Sequence, residues 1–248
     1  MKKKINCALI CGGSYGLGIE ITKYFTDQNL TTIVFSRDKK KLNQSIKKFK
    51  GKKVLGIKCD LSNPENVKKN LKKLKNDNYE INFLVCNAGN GKNDFQLNKN
   101  YLNYYNAYNK NFFTAINPIE ILINLGNYKN LKIILISSIA GHFKGKAPLP
   151  YSLAKNSIIN YARENAKFLA TKKVLINSIS PGHIMQPNNL WHKKLIKNKI
   201  KTMNFIKTNV ALQKFCTTKD IISAIDFLMS EKNSYVTGTD MRIDGSSE

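Results

Sequence analysis

Two residues in the segment YSLAK, Tyr151 and Lys155, are of types that can together move a proton. Their spacing places both side chains on one face of a helix that is predicted to begin at Pro150. A tyrosine hydroxyl has a pKa of about 10, and lowering that pKa toward 7 requires about 4 kcal/mol. One ammonium about 4 Å away supplies energy of that order at an effective dielectric constant of about 20. The pair is a candidate for acid–base chemistry, although Tyr-x-x-x-Lys alone is common by chance.

A glycine-rich segment near the start of the chain, CGGSYGLG, could bind a phosphate group. It follows an apolar strand candidate and opens a predicted helix from Leu17 to about Thr26. Its glycines are spaced Gly-x-x-x-Gly-x-Gly, which lets the backbone approach a pyrophosphate at the positive end of the helix. The alternative is a plain turn between a strand and a helix. The candidate cofactor ligands in this loop are Gly12, Ser14, Tyr15, Gly16, Leu17 and Gly18.

The end of the second strand candidate, FSRD, bears on which nucleotide would bind. A carboxylate that binds a ribose would be expected there, about 20 residues beyond the glycines. Ser36 and Arg37 stand there instead, and a hydroxyl and a guanidinium would hold a 2′-phosphate that an acid would repel. This favours NADP(H) over NAD(H), with NAD(H) still possible. In the alternative interpretation, Arg37 is a surface residue and Asp38 turns inward.

The third and fourth strand candidates end in CDL and CNAG. Asp60, which Leu61 follows, could accept a hydrogen bond from an adenine amino group, or could equally cap the next helix. Asn87, Ala88 and Gly89 lie at the C-terminal edge of the predicted sheet, where ligands bind in such folds. These five residues are therefore further candidates for cofactor binding.

Strand candidates alternate with amphipathic, lysine-rich segments of helix length, and this alternation predicts a mostly parallel sheet with helices on both faces. We therefore predict a doubly wound, Rossmann-like α/β fold, a three-layer αβα sandwich around a sheet of about seven strands. No linker or repeat interrupts the pattern, so residues 1–248 are predicted to form one domain. A flap or small helices over the site are expected around 183–217. The strand candidates are Ile5–Cys11, Thr31–Phe35, Lys53–Lys58, Ile81–Cys86, Leu131–Ser137, Lys173–Ile179 and Asp240–Ile243.

The formal net charge of +25 raises the question of nucleic-acid binding. The basic residues are spread along the whole chain, and only Arg37, Arg163 and Arg242 are arginines, the residue that suits bidentate recognition of phosphates and bases. We interpret the lysines as a solvated surface and expect no nucleic-acid partner. The charge could still attract anionic small molecules toward the site.

The cysteines and the apolar segments indicate a cytoplasmic protein. Five scattered cysteines without a CxxC pair favour small buried thiols over disulfides, and the three histidines are unpaired, so no metal is expected. No apolar run has the length to cross a membrane. The N-terminal segment has a basic start, but its apolar stretch from Cys7 to Cys11 is too short for a signal peptide.

Taken in order, the glycine loop, CNAG, ISSIAG, YSLAK, SPGHI (Ser180 to Ile184) and YVTGTDMRIDGS (Tyr235 to Ser246) resemble the motifs of the short-chain dehydrogenase/reductase family. The resemblance covers essentially the entire chain. It implies an NAD(P)(H)-dependent oxidoreductase that interconverts a carbonyl and an alcohol by hydride transfer. It also implies cofactor contacts from Pro181, Gly182 and Ile184, and a homotetramer or homodimer.

The same resemblance implies a role for each catalytic candidate. Tyr151 would be the general acid in reduction and the general base in oxidation. Lys155 would lower the pKa of Tyr151 and bind the nicotinamide ribose. Ser138, 13 residues before Tyr151, would hydrogen-bond the substrate oxygen, the alternative being a turn serine at a strand end. Asn111 would hold a proton-relay water, although Asn106, Asn109 and Asn117 lie close in the chain.

The chain departs from the family pattern at Cys11, Cys86 and Gln186, where threonine, asparagine and threonine are common. None of these changes removes a catalytic group. The resemblance leaves the substrate open among a small ketone, a 3-oxoacyl thioester and a keto-sugar, and Trp191 is expected in the flap over it. A non-catalytic NADP(H)-binding sensor of the same fold is the alternative function, but such proteins typically lack the Tyr–Lys pair that this chain retains.

Overall fold

A computed structural model describes residues 3–91, 101–142 and 147–247. A seven-stranded, entirely parallel sheet lies at its centre, in the order β3-β2-β1-β4-β5-β6-β7. The sequence order reverses between β1 and β4, which is the switch point where a doubly wound sheet opens a crevice at its carboxyl edge. The strands are β1 Ile5–Cys11, β2 Thr31–Ser36, β3 Val54–Lys58, β4 Tyr79–Cys86, β5 Tyr128–Ile136, β6 Leu175–Pro181 and β7 Asp240–Ile243.

Helices cover both faces of this sheet. Helices α3, α5 and α6 contribute to one hydrophobic cluster, and α1 and α9 contribute to the cluster on the other face. The helices are α1 Leu17–Asp27, α2 Lys39–Lys47, α3 Pro64–Asn76, α4 Tyr101–Tyr108, α5 Thr114–Leu125, α6 Leu149–Thr171, α7 Leu190–Lys197, α8 Lys199–Asn209 and α9 Thr218–Met229. A π-helical turn, Asn109–Phe113, joins α4 to α5, and a 3₁₀ turn, Ile139–Gly141, follows β5.

Burial on both faces explains why strands of this composition form a parallel sheet. In β1, Cys7 and Leu9 pack into the first cluster, whereas Ala8 and Ile10 pack into the second, and all four are fully buried. A strand that is apolar on both faces needs a helical layer on each side, and the crossover helices supply those layers. The predicted three-layer, doubly wound fold is therefore confirmed.

The strand bounds differ from the predicted ones mainly at the amino edge of the sheet. Strands β1 and β7 have the predicted bounds, whereas β4 and β5 begin earlier, at Tyr79 and Tyr128. A polar residue inside β4 accounts for the difference. Asn82 sits at an irregularity in the register, where its side chain accepts from the Cys7 N–H at 3.2 Å and donates to the Lys129 carbonyl at 3.0 Å. Its side chain thus replaces ladder bonds, so that pairing continues past a residue that is unfavourable in strands.

The segment between β6 and α9 contains two short helices. Its helices α7 and α8 are capped by Asn189 and Asn198, whose side chains accept from His192 N–H and Lys201 N–H. Asparagine is among the preferred N-cap residues, so each cap satisfies one of the free N–H groups in the first turn. Within the described ranges, every helix is either too short or too polar to span a bilayer.

Candidate active site

The glycine loop between β1 and α1 is packed so closely that side chains would not fit at its glycines. A Cβ on Gly18 would lie 2.0 Å from the Gly12 carbonyl oxygen, and one on Gly12 would lie 2.8 Å from the backbone of Ala88. Gly16, directly before α1, has a φ of 54°, a backbone conformation that L side chains rarely adopt. The bare backbone at a helix N-terminus fits a dinucleotide pyrophosphate, so the residues present match the predicted cofactor. Leu17 is buried in the first turn of α1.

The Ser36 hydroxyl at the end of β2 faces the glycine loop, and Arg37, which follows it, is exposed, as the alternative interpretation expected. The Ser36 and Ser14 hydroxyls are 2.7 Å apart and link β2 to the glycine loop. Asp38 is the N-cap of α2 and accepts from the Lys41 N–H at 3.0 Å. Asp38 is fully exposed, and that hydrogen bond lowers the pKa of its carboxyl group. The interpretation in which Asp38 turns inward is therefore wrong, because the carboxylate is engaged in capping its own helix.

Beside this edge, Tyr15 of the glycine loop is half exposed, and the Lys41 ammonium lies 5.4 Å from its ring centroid. Lys41 thereby brings a second cation to the side of the loop where Arg37 follows β2. Nothing in the sequence pattern singled out Lys41, which stands in a run of three lysines.

Asp60, which follows β3, is held in a local turn. Its Oδ1 accepts from the Ser62 N–H at 3.1 Å and from the Ser62 hydroxyl at 2.7 Å. The cap of α3 is Asn63, so the alternative in which Asp60 caps the next helix is wrong. Leu61 is buried, and its carbonyl accepts from the Asn117 side chain at 2.9 Å.

The residues that directly follow β4 bond to the glycine loop and pack against it. The Asn87 side chain donates to the Gly12 carbonyl at 3.0 Å, and Ala88 packs against Gly12. Gly89 leaves space for two site residues, because a Cβ there would lie 2.9 Å from Asn111 Oδ1 and 3.3 Å from Lys155 Nζ. The structure therefore brings the predicted cofactor residues of β1 and β4 together at the switch point.

Ser138, Tyr151 and Lys155 converge at the carboxyl end of β5. Ser138 precedes the 3₁₀ turn and its hydroxyl accepts from the Ala140 N–H at 3.2 Å. Tyr151 and Lys155 lie in the first two turns of α6, as the four-residue spacing predicts. The Lys155 ammonium donates to the Ile136 carbonyl at 2.8 Å and lies 5.9 Å from the Tyr151 ring centroid. Lys155 is 4% exposed.

Burial dominates the pKa values of this group. Desolvation lowers the pKa of Lys155 to about 8. Burial also raises the pKa of Tyr151 above 10, and the hydrogen bond with Ser138 opposes that rise. The sequence argument expected Lys155 to lower the pKa of Tyr151. Within the protein itself that effect does not dominate, because the lysine ammonium is bonded to a carbonyl and both groups are removed from water.

Asn111 lies in the π-helical turn and is fully buried. Its Oδ1 accepts from the Asn90 N–H at 2.9 Å, and its Nδ2 donates to the carbonyls of Ala107 at 3.0 Å and Asn90 at 3.3 Å. The side chain thus fixes the backbone that follows CNAG. Sequence reasoning missed Asn90, whose part is played by its backbone and which no residue pattern marks. Asn109 shares the π-helical turn and Asn117 binds Leu61, so the structure distinguishes Asn111 from its neighbours.

The segment that follows β6 closes over the glycine loop. Pro181 ends β6, and Gly182 packs so tightly that a Cβ would lie 2.8 Å from the Asp244 Cα. Ile184 forms a bridge with Cys216, which joins the two ends of the predicted flap. Gln186 reaches back to the loop, because its Oε1 lies 3.1 Å from where a Gly16 Cβ would stand.

An aromatic cluster fills the interior of this segment. Trp191 stacks on Phe205 with centroids 5.2 Å apart, and His183 lies 4.7 Å from Trp191. The Lys194 ammonium covers the outer side of the indole at 4.4 Å. Burial, aided by Lys194, lowers the pKa of His183 and so favours its neutral form. Trp191 therefore packs α7 against α8.

Comparison with known proteins agrees with this arrangement. The sequence profile of the family described as enoyl-(acyl carrier protein) reductase matches residues 12–246. The 3-oxoacyl-[acyl-carrier-protein] reductase of Buchnera aphidicola subsp. Baizongia pistaciae is 27% identical over 99% of this chain and 98% of its own length. The corresponding reductase of Aquifex aeolicus is 25% identical over 96% of this chain and 95% of its own length.

Solved structures share the fold. L-sorbose reductase from Gluconobacter frateurii, complexed with NADPH and L-sorbose, superposes with a TM-score of 0.86 at 22% identity, over 100% of this chain and 98% of its own. A 7α-hydroxysteroid dehydrogenase complexed with NADH gives a TM-score of 0.85 at 21% identity, over 98% and 94% of the two chains. Because the family profile spans nearly the whole chain and includes every candidate site residue, the resemblance inferred from the motifs is confirmed. The chain belongs to the short-chain dehydrogenase/reductase family and is an NAD(P)-dependent oxidoreductase.

Proposed function

We propose that the protein is an NADP(H)-dependent reductase of 3-oxoacyl thioesters, with Ser138, Tyr151, Lys155 and Asn111 as its catalytic residues. The observation that carries the proposal is the convergence of Ser138, Tyr151 and Lys155 beside Gly89, at the same sheet edge as the glycine loop. These three side chains suit reduction of a carbonyl group. The Tyr151 hydroxyl can give a proton, the Ser138 hydroxyl can donate a hydrogen bond, and Lys155 is a buried ammonium.

In reduction, the Tyr151 hydroxyl gives its proton to the carbonyl oxygen of the substrate. The Ser138 hydroxyl donates a hydrogen bond to the same oxygen and stabilises the negative charge that develops on it. Lys155, fixed by the Ile136 carbonyl, stabilises the tyrosinate that remains. NADPH supplies the hydride when it is bound. In oxidation the tyrosinate accepts the proton from the alcohol.

The groups at the sheet edge would each contact a different part of the cofactor. The backbone of the loop from Gly12 to Gly18, with Ser14 and Tyr15 in it, would hold the pyrophosphate at the N-terminus of α1. Ser36 and Arg37 would hold the 2′-phosphate. The remaining proposed contacts are Asp60 and Leu61 for the adenine, Asn87, Ala88 and Gly89 along the backbone, and Tyr151, Lys155, Pro181, Gly182 and Ile184 near the nicotinamide.

The charge of the flap supports an anionic, carrier-borne substrate. Residues 183–217 contain seven lysines and no aspartate or glutamate, and all seven lysines are exposed. Such a segment attracts acidic molecules to the mouth of the site. The curated relatives named above are reductases of 3-oxoacyl groups on acyl carrier protein. We therefore favour a 3-oxoacyl thioester over a small ketone or a keto-sugar.

We further infer that the chain acts as one domain with a substrate flap at 183–217, in the cytoplasm, as a homodimer or homotetramer. Exposed apolar side chains on α4, on the π-helical turn after it and on α6 support assembly through these segments, since such side chains are usually covered in an oligomer. They include Tyr101, Tyr105, Phe113, Leu149 and Leu153. Light scattering at micromolar concentration should report a dimer or tetramer, and a monomer would contradict the inference.

The experiment that tests the function replaces Tyr151 by Phe. The substitution keeps the ring but removes the proton, so NADPH oxidation with acetoacetyl thioesters should slow by about 10²–10⁴-fold. Binding of NADPH, measured by its fluorescence, should be nearly unchanged. Tyr235→Phe is the matched control, because this tyrosine is almost fully exposed. Near-normal turnover by Tyr151→Phe would refute the mechanism, and wild-type turnover of other ketones only would refute the substrate class.

A further inference from the structure

Asp240, on the edge strand β7, carries a nearly buried carboxylate that no motif explains. Its side chain is 9% exposed. The Ser180 hydroxyl donates to Asp240 Oδ1 at 2.9 Å, and the Ser178 hydroxyl donates to the same oxygen. Asp240 Oδ2 lies 2.8 Å from His142 Nε2, which is also 3.2 Å from the Ser180 hydroxyl. Four polar side chains thus form one connected network between β6, β7 and the segment after β5.

The geometry determines how the proton of the imidazole is placed. A carboxylate that is ionised only accepts hydrogen bonds, so in that state His142 Nε2 carries the hydrogen that faces Asp240. Both serines are fully buried, and their hydroxyls are oriented by the same carboxylate. A buried carboxylate that lost these donors would be left unsatisfied at considerable cost. The network therefore holds the His142 ring in one position.

His142 directly follows the turn that begins at Ser138. Its N–H donates to the Ile139 carbonyl at 2.9 Å. The other side of the turn is attached to α6, where the Asn156 side chain donates to the Gly141 carbonyl at 2.8 Å. Gly141 also packs closely on this helix, because a Cβ there would lie 2.9 Å from the backbone nitrogen of Asn156. The turn is thus held by α6 on one side and by the sheet edge on the other.

We propose that His142 and Asp240 are positioning residues that fix the Ser138 turn, so that the Ser138 hydroxyl stays opposite Tyr151. This inference rests on the proposed function of Ser138. Directly before the turn, the Ser137 hydroxyl donates to the Lys155 carbonyl at 2.8 Å and the Ser137 N–H donates to the Ile179 carbonyl at 2.7 Å. At its far end the turn is bonded to α6 at Gly141, and the bond from His142 to the edge strand adds a second attachment there. Displacements of about 1 Å at a reacting group can reduce rates by about 10²-fold, so a distant anchor of this kind affects catalysis.

The experiment measures steady-state kinetics of His142→Ala and His142→Gln, alone and combined with Ser138→Ala. His142→Ala should lower kcat by about 10- to 100-fold, with an unchanged KM for NADPH. His142→Gln should recover much of that loss, because its amide can still donate to Asp240. In the Ser138→Ala background, His142→Ala should cause little further loss, since residues that act through one group are not additive. A purely structural role would instead lower both backgrounds alike.

Several outcomes would overturn the proposal. Unchanged kcat in His142→Ala, or an equal loss with and without Ser138, would show that the network does not act through the Ser138 turn. If His142→Ala does not fold, Asp240→Asn provides the same test, because it keeps the side-chain volume and weakens the bond to His142. Ser138→Ala alone distinguishes a failure of the proposed role of Ser138 from a failure of the positioning role of His142. If it retains full turnover, the proposed role of Ser138 fails, whereas a loss there without one in the His142 variants refutes only the positioning role.

Discussion

Replacing Lys155 by Met should stabilise the protein at neutral pH while it lowers turnover. Burial lowers the pKa of the Lys155 ammonium from 10.5 to about 8. One pKa unit corresponds to about 1.4 kcal/mol, so keeping this group charged in the folded state costs about 3 kcal/mol. Met has a similar length and no charge, and it therefore removes this cost.

The substitution also removes a favourable contact. The Ile136 carbonyl accepts from Lys155 Nζ at 2.8 Å, and leaving a buried acceptor unsatisfied costs about 1–3 kcal/mol. The net gain in unfolding free energy at pH 7 should therefore be about 1 kcal/mol, which raises Tm by about 2–4 °C in a chain of this size.

The pH dependence is the more specific signature. The folded-state pKa of Lys155 lies below its unfolded-state value, so the unfolded state binds more protons between about pH 8 and pH 10.5. The wild-type protein should gain stability from this residue as pH rises through that window. The net gain of about 1 kcal/mol from Lys155→Met should accordingly fall by about 3 kcal/mol across this window and become a loss of about 2 kcal/mol.

Urea denaturation followed by circular dichroism, at equal protein concentrations and at several pH values from 7 to about 10.5, measures this difference. Titrating groups distant from Lys155 are common to the two proteins and cancel, and Tyr151→Phe in both proteins removes the neighbouring group that does not. A stability difference that does not change with pH would refute the reasoning, because it would show that Lys155 titrates alike in the folded and unfolded states.

Three other outcomes are expected. Wild-type protein should bind NADPH more tightly than NADH, and Arg37→Ala should remove most of the difference in a fluorescence titration; equal wild-type affinities would contradict the assignment. Gly18→Ala should abolish cofactor binding, because its Cβ would lie 2.0 Å from the Gly12 carbonyl oxygen, whereas Gly51→Ala, which strains the backbone at a φ of +83° but has open space around its Cβ, should retain it. Any DNA binding should vanish at physiological salt, since counterion release weakens nonspecific contacts steeply; tight, sequence-selective binding at that salt would reverse the interpretation of the lysines.

The features that sequence predicted well depend on local chemistry and periodicity. Strands buried on both faces and separated by amphipathic segments leave few arrangements other than a doubly wound sheet, so the layers could be predicted. The four-residue spacing of Tyr151 and Lys155 placed both on one helix face, as the structure has them. The glycine pattern located a loop whose backbone must approach Ala88, although the identity of that neighbour was not visible in the sequence.

The features that sequence did not predict depend on contacts between distant segments. His142 and Asp240 are 98 residues apart, and the motifs ISSIAG, directly before His142, and YVTGTDMRIDGS, around Asp240, did not indicate that these two side chains meet. The pKa of Tyr151 could not be inferred from spacing, because the burial of both groups and the Ile136 carbonyl outweigh the charge of Lys155. The capping role of Asp38 was open for a related reason: an exposed carboxylate that caps a helix and one that binds a ribose look alike in a sequence.

The π-helical turn at Asn109–Phe113 has a consequence for insertions and deletions. Bonding from i to i+5 takes up one residue more per turn than α-helical bonding does, so the turn behaves as an α-helix with one residue inserted. Deleting a single residue between Tyr108 and Asn111 would let α-helical bonding run straight through. Each residue of an α-helix turns by about 100°, so the upstream and downstream faces would then change phase by that angle. The Asn111 side chain and the side chains of α4 could then not both keep their present orientations. The position of the Asn111 side chain therefore depends on the length of this segment as well as on the residue type at 111.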